Sequence, residues 1–196
     1  MGQAADRAVA AARSADFISG PKDQTEGPNG VVTEAFKGEV YLKVDNKARV
    51  SIPAAMRHIL ELADPADGSR SRSRVVMIYG AGGKHAQCYS IQGAQDLYAT
   101  IYSHPVGSED RNDMETAFVA RSHDVDIDED GRIVLPPKIR QRMGVTAEDM
   151  AKGFTAVFVG KLDRFELWKA ETYDAETPDI DSISADIRKK LPPPKP

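Results

Sequence analysis

Apolar and polar positions along this chain alternate in short runs that give way to helical spacing after each of two prolines. Val40-Tyr41-Leu42-Lys43-Val44 alternates, which is the pattern of a half-buried strand. Arg49 to Ile52 alternates again, and Pro53 ends that run because proline brings no N–H to a ladder and suits a first helical turn. Ala54 to Leu62 is then expected to form a short helix. The same order returns 83 positions later, with strands at Ser122 to Ile127 and Arg132 to Leu135, then Pro136, then a helix from Lys138 to Met143 that Gly144 is placed to stop.

Superposing the two copies puts Asp45 on Asp128, Arg49 on Arg132, Pro53 on Pro136 and Arg57 on Arg140. A self-match at fixed offset marks an internal repeat. In each copy Asp-x-x-x-Arg predicts a tight reversal, since an Asp side chain accepts hydrogen bonds from backbone N–H groups two residues on. Asn46 and Gly131 are the residues expected to supply the left-handed conformation such turns need. Each unit therefore reads as hairpin then helix, with an arginine just past the tip.

The remaining pattern completes both copies. Val75 to Tyr79 and Gln87 to Ile91 are expected as strands around the loop Gly80–His85, followed by an amphipathic helix from Gln92 to Tyr102. The glycines of that loop lack the spacing of a phosphate-binding loop: Ile78 and His85 occupy the positions where the motif needs Gly and Ser or Thr. Residues 105–112 read as a polar linker and Asp113 to Ala120 as a helix. Phe154 to Val159 and Arg164 to Trp168 are the second strand pair, with Phe165-Glu-Leu-Trp168 matched in role to Cys88-Tyr-Ser-Ile91, and Lys169 to Ala175 closes the copy. Asp64 to Arg74 is a loop by composition, whose alternating Arg70, Arg72 and Arg74 fit either phosphate contact or a solvated loop. The expected organisation is a disordered extension over 1–34, a first repeat over 35–106, a second over 107–175 and a proline-rich tail over 176–196.

Composition and charge then narrow the chemistry. With 41% apolar residues in 196 the chain can bury a core, although each half alone is marginal, which a swapped or oligomeric arrangement relieves. The single cysteine, Cys88, excludes an internal disulfide, no apolar run reaches spanning length, and Met1 to Ala15 lacks a signal's apolar segment. A soluble cytoplasmic protein is expected. His58, His85, His104 and His123 are scattered without metal-ligand spacing, and the acidic run Asp124, Asp126, Asp128, Glu129, Asp130 lacks the pattern of a calcium loop. No catalytic centre, metal, cofactor or small-molecule substrate is therefore expected.

A net charge of −4 argues against a polyanionic partner until its distribution is read. Residues 36–105 carry +3 and residues 106–175 carry −5, and Lys37, Lys43, Lys47, Arg49 and Arg57 crowd around the first motif. An arginine directly after a tight turn points outward on a two-stranded ribbon. Such a ribbon fits the major groove of double-stranded DNA, and arginine matches the paired acceptors of guanine. The candidate DNA-contacting residues are Asp45, Lys47 and Arg49 in the first turn, Asp128 and Arg132 in the second, and Lys43 and Arg57 beside them, the lysines being suited to phosphates. Arg132, in acidic surroundings, is either an equivalent contact or mainly a structural member of its turn.

At these residues the chain resembles a known family. Phe36-Lys-Gly-Glu39, the Asp-x-Lys-x-Arg-x-x-Ile-Pro-Ala-x-x-Arg run from Asp45, the Asp-x-x-Gly-Arg-Ile-x-Leu-Pro run from Asp128, and Arg164-Phe-Glu-Leu-Trp168 are similar to the MraZ family of bacterial transcriptional regulators. The likeness covers roughly residues 36 to 175, with two departures: Ala48 stands where the family usually has Gly, and the first 35 residues precede the family's usual start. It implies an α+β fold, a pseudo-twofold duplicated swapped-hairpin β-barrel of the AbrB/SpoVT type with short flanking helices. It also implies a ring-shaped homo-oligomer at the nucleoid, binding G-rich direct repeats in the promoter of the division and cell-wall gene cluster through Asp-x-x-x-Arg. The alternative expectation is an AbrB-like antitoxin or a protein-binding scaffold on the same fold.

Overall fold

The alternating runs do form strands and the proline-headed runs do form helices. The computed structural model describes residues 34–64, 72–177 and 190. In chain order the elements are β1 (Glu39–Val44), β2 (Arg49–Ser51), α1 (Ala54–Ala63), β3 (Arg74–Ile78), β4 (His85–Tyr89), α2 (Ile91–Tyr102) and α3 (Glu109–Met114), which continues as a π-helical stretch (Glu115–Ala120). Then come β5 (Ser122–Asp126), β6 (Arg132–Val134), α4 (Pro137–Arg142), α5 (Ala147–Lys152), β7 (Phe154–Gly160), β8 (Phe165–Lys169) and α6 (Ala170–Glu176).

The result is an α+β fold around one antiparallel sheet of order β1-β7-β8-β4-β3-β5, with β2 and β6 forming a separate two-stranded ribbon. Strands from the two copies interleave: Tyr41 of β1 lies opposite Val157 of β7, and Val75 of β3 opposite Val125 of β5. The sheet has two edges, β1 and β5, so the closed barrel expected from the resemblance is not formed as a continuous ladder. Pro53 and Pro136 each lie just beyond a three-residue strand and bring no N–H to prolong the ribbon's ladder. The ribbon is instead joined to both sheet edges covalently, through the turns after β1 and β5.

One face of the sheet, the inner face of the ribbon, α1 and α4 enclose the main core. Val50 and Ile133 from the ribbon, Met56 and Leu60 from α1, and Ile139 and Met143 from α4 are each buried there. The other sheet face is covered in two parts, by α2 and Phe118 over Val76 and Ile78, and by Tyr173 of α6 over Val157 and Val159.

Several boundaries differ from the sequence expectation for local reasons. The strand expected over Gln87–Ile91 lies at His85–Tyr89, because the Ser90 side chain accepts from Gly93 N–H at 3.0 Å and so caps α2, making Ile91 its first residue. The role match of Cys88-Tyr-Ser-Ile91 to Phe165-Glu-Leu-Trp168 fails with it. The linker expected over 105–112 ends early, since Ser108 accepts from Arg111 N–H at 3.3 Å and starts α3 at Glu109. Apolar periodicity gives no sign of α5, yet Thr146 and Asp149 form a reciprocal capping box at its start. Arg74 is not a loop arginine: it opens β3, its Nε lies 3.1 Å from Asp64 Oδ2 and its Nη1 3.2 Å from Asp124 Oδ2, a brace rather than a free cation. The expectations for residues 1–33 and for most of the proline-rich tail, and the placement of Arg70, lie outside the described residues.

Phe158 is fully buried with its ring centroid 5.6 Å from that of Phe165, itself 5.4 Å from Phe36. Phe158→Ala should therefore lower the free energy of unfolding by about 3–5 kcal/mol, the usual cost of emptying such a site, measured by denaturant titration.

Candidate functional site

The two Asp-x-x-x-Arg motifs build the same turn almost bond for bond. In the first, Asp45 Oδ1 accepts from the backbone N–H groups of Lys47 and Arg49, both at 2.9 Å. Asp45 Oδ2 accepts from Arg49 Nε at 2.7 Å and lies 2.7 Å from Arg49 Nη2. In the second, Asp128 Oδ1 accepts from the N–H groups of Asp130 at 3.0 Å and Arg132 at 2.8 Å, and Oδ2 accepts from Arg132 Nε at 3.0 Å. Each carboxylate thus does two things at once: it closes the backbone of the turn and it holds the guanidinium that follows.

The left-handed residue is the fourth of each turn. Gly131 has φ of 73°, and Ala48, not Asn46 as the composition suggests, has φ of 61°. The reason is visible in the bonding, because the first three residues are held by Asp45 O, which accepts from Ala48 N–H at 2.9 Å, as Asp128 O accepts from Gly131 N–H at 2.9 Å. Ala48 therefore reproduces the glycine-type turn, at the roughly 1–2 kcal/mol that a left-handed L-residue costs. Its side chain is buried in the core, which offsets part of that cost.

Beyond the turns, β2 and β6 pair antiparallel with Arg49 opposite Val134, Val50 opposite Ile133 and Ser51 opposite Arg132. Alternation turns Val50 and Ile133 inward, each 1% exposed, and sends Arg49, Ser51, Arg132 and Val134 to the same outer face. Both arginines are thereby displayed together, with side chains 39% exposed at Arg49 and 34% at Arg132. This common face does not follow from either motif alone; it depends on the pairing of two strands 83 positions apart.

The turns differ in charge. Lys47 is exposed in the first and Lys43 on the adjoining strand, whereas the second carries Glu129 and Asp130. Asp130 also takes the Nη2 of Arg132, so that arginine lies between two carboxylates while Arg49 is held by one. Arg57 lies on α1 rather than on the ribbon: its Nε is 3.5 Å from Glu61, and its guanidinium fills the space a side chain at Gly131 would need. It leans from the first copy's helix onto the second copy's turn. Gly153, with φ of 74°, underlies the first turn, where an added Cβ would come within 2.7 Å of the Val44 carbonyl oxygen. That close approach supports the turn from 108 residues away in the chain, outside the Asp-x-x-x-Arg motif.

Other reactive groups are placed structurally. Cys88 is fully buried, and burial raises its thiol well above its ordinary range, away from the thiolate form. His85 stacks on Trp168 at 4.2 Å and His123 on Tyr79 at 5.6 Å. Two surface depressions bordered by α4, of about 440 and 340 Å³, include no residue of either turn. Among the described residues no helix is long and apolar enough to cross a membrane, and no group of three His, Cys, Asp or Glu is placed to hold a metal.

Taken together, these elements define an α+β protein whose ribbon presents two carboxylate-braced arginines on one exposed face. A family model described as "MraZ protein, putative antitoxin-like" matches residues 118–188. A protein of Cereibacter sphaeroides called transcriptional regulator MraZ is 40% identical over 162 residues, covering 83% of this chain and 92% of the relative. A protein of the same name from Ruegeria pomeroyi is 37% identical over 142 residues, 72% of this chain and 81% of the relative. One from Shewanella oneidensis is 25% identical over 138 residues, 70% and 82% of the two chains. The chain belongs to the MraZ family.

The backbone N–H of Arg49 and then its guanidinium hold the Asp45 carboxyl below its ordinary value of 3.8, and the backbone N–H of Arg132 does so for Asp128. A depressed folded-state value contributes stability above the unfolded value that is lost as pH falls through the folded one. Acid unfolding followed between pH 4 and 2 should therefore flatten in Asp45→Asn and Asp128→Asn relative to the parent. Gly131→Ala should destabilise the fold by at least about 1–2 kcal/mol, from its positive φ and from displacement of the Arg57 guanidinium, read by thermal melting.

Proposed function

We propose that this protein is a transcription regulator that binds double-stranded DNA through the outer face of the β2–β6 ribbon. The observation that carries the reading is the convergence of Arg49 and Arg132 on one exposed two-stranded surface. A ribbon of this kind enters the major groove, where a guanidinium meets the N7 and O6 acceptors of guanine. Asp45 occupies the Nε side of Arg49 and leaves donors at the far end of the fork for a base. Pre-aimed in this way, the side chain loses little freedom on binding.

In this reading Arg49 is the main base contact, Lys43 and Lys47 hold phosphates, and Arg132 with Asp128 makes a weaker contact because Asp130 competes for its guanidinium. Arg57 supports the second turn. The fold is a duplicated swapped hairpin, its two repeats over 35–106 and 107–175 exchanging strands across a pseudo-twofold axis. The relatives' name as transcriptional regulators supports the regulatory role. We extend it to G-rich direct repeats in the promoter of the division and cell-wall gene cluster, to a cytoplasmic, nucleoid-associated protein without catalytic activity, and to a homo-oligomeric ring. A ring sums weak contacts by effective concentration, which suits a chain of net charge −4.

The test is binding of a labelled G-rich direct-repeat duplex at fixed salt, since phosphate contacts are salt-dependent. Arg49→Ala should weaken binding at least about ten-fold, in line with one lost bidentate base contact, and Arg132→Ala should weaken it less. Parental affinity in a folded Arg49→Ala protein would defeat the reading. An intact oligomer that shifts no DNA and co-purifies with a stoichiometric protein would favour the antitoxin or scaffold alternative.

A further inference from the structure

Val134 stands out on the ribbon. It is 55% exposed, while its neighbours Ile133 and Leu135 are each 1% exposed in the core. Lone exposed valines are ordinary, and what distinguishes this one is its position. Leu135 N–H donates to Ala48 O and Ile52 N–H to Gly131 O, both at 2.9 Å, and these bonds bracket the ribbon. Antiparallel pairs alternate between hydrogen-bonded and non-hydrogen-bonded, so Arg49 with Val134 and Ser51 with Arg132 fall on the pairs whose side chains approach most closely.

The two pairs are chemically different. The repeat offset of 83 places Ser51 and Val134 at equivalent positions, yet one offers a hydroxyl and the other two methyl groups. Arg49 is thus coupled to an apolar, β-branched neighbour with a stiff χ1, and Arg132 to a small polar one. In the major groove, thymine is distinguished by its C5-methyl group, and guanine by the acceptors arginine reads.

We infer that Val134 is a specificity-determining residue that contacts the C5-methyl of a thymine next to the guanine read by Arg49. This rests on the DNA-binding reading above. The Arg49–Val134 pair selects a guanine with an adjacent thymine, and the Arg132–Ser51 pair does not share that preference. A ribbon with identical halves would dock in either orientation; the unlike pairs, reinforced by the acidic second turn, give it one direction along the duplex.

The test is a double-mutant cycle between protein and DNA. Parent and Val134→Ser are titrated with a G-rich direct-repeat duplex containing thymines and with the same duplex carrying uracil at every thymine, which deletes only the methyl groups. The parent should bind the uracil duplex at least about three- to ten-fold more weakly, the scale of one buried methyl group for each engaged protomer. Val134→Ser should bind both duplexes equally and near the parent's weaker value, with melting temperature and oligomeric state unchanged. Val134→Thr, which keeps one methyl and the strand-favouring branch, should fall between, and it takes the place of the serine variant should that one fail to fold. Equal binding of both duplexes by the parent, or the same loss on uracil in parent and variant, would overturn the proposal while leaving the Arg49 contact standing. A parent that binds neither duplex would remove it together with the DNA-binding reading.

Discussion

Everything at the exposed ribbon depends on one carboxylate per turn. Asp45 and Asp128 each spend one oxygen on backbone N–H groups and the other on a guanidinium. The same group therefore sets the reversal angle, the start of the returning strand and the direction of the arginine. Because the acceptor is charged, these bonds are stronger than neutral ones and lower the carboxyl's pKa below its ordinary value. Without that constraint the arginine would be a flexible surface side chain, and β2 and β6 would lose the register that puts both arginines on one face.

The turns also do architectural work. The six-stranded sheet has open edges at β1 and β5, and edges invite unwanted pairing. Each edge strand here runs directly into a turn and then into the ribbon, so the ribbon roofs the same core that the sheet floors. Val50 and Ile133 close that core from above, with α1 and α4 at its sides. The exposed face and the hydrophobic core are consequently two sides of one pair of three-residue strands.

Symmetry of construction is combined with asymmetry of chemistry. Ala48 and Gly131 adopt the same backbone, Ser51 and Val134 occupy matching places, and Lys47 answers to Asp130. Arg57 reaches across to fill the space above Gly131, whereas Ala48 carries its own methyl, which is buried in the core. The two turns thus share a backbone frame and differ in the side chains they expose.

The local elements were legible from the chain because their causes are local. Alternation marks β1 and β2, prolines start α1 and α4, and an Asp four residues before an Arg makes the turn, all within reach of a few side chains. Even the missed helix α5 carried its signal in Thr146 and Asp149, which periodicity alone overlooks. Residue preference alone points to Asn46 as the left-handed position, whereas the Asp45–Ala48 backbone bond puts it at Ala48. What no local pattern contained was the pairing of β1 with β7, β3 with β5 and β2 with β6. Those pairs join segments far apart in the chain and are selected by burial of a shared core, so the open sheet, the common face of Arg49 and Arg132, and the placement of Val134 beside Arg49 were decided only by the tertiary structure.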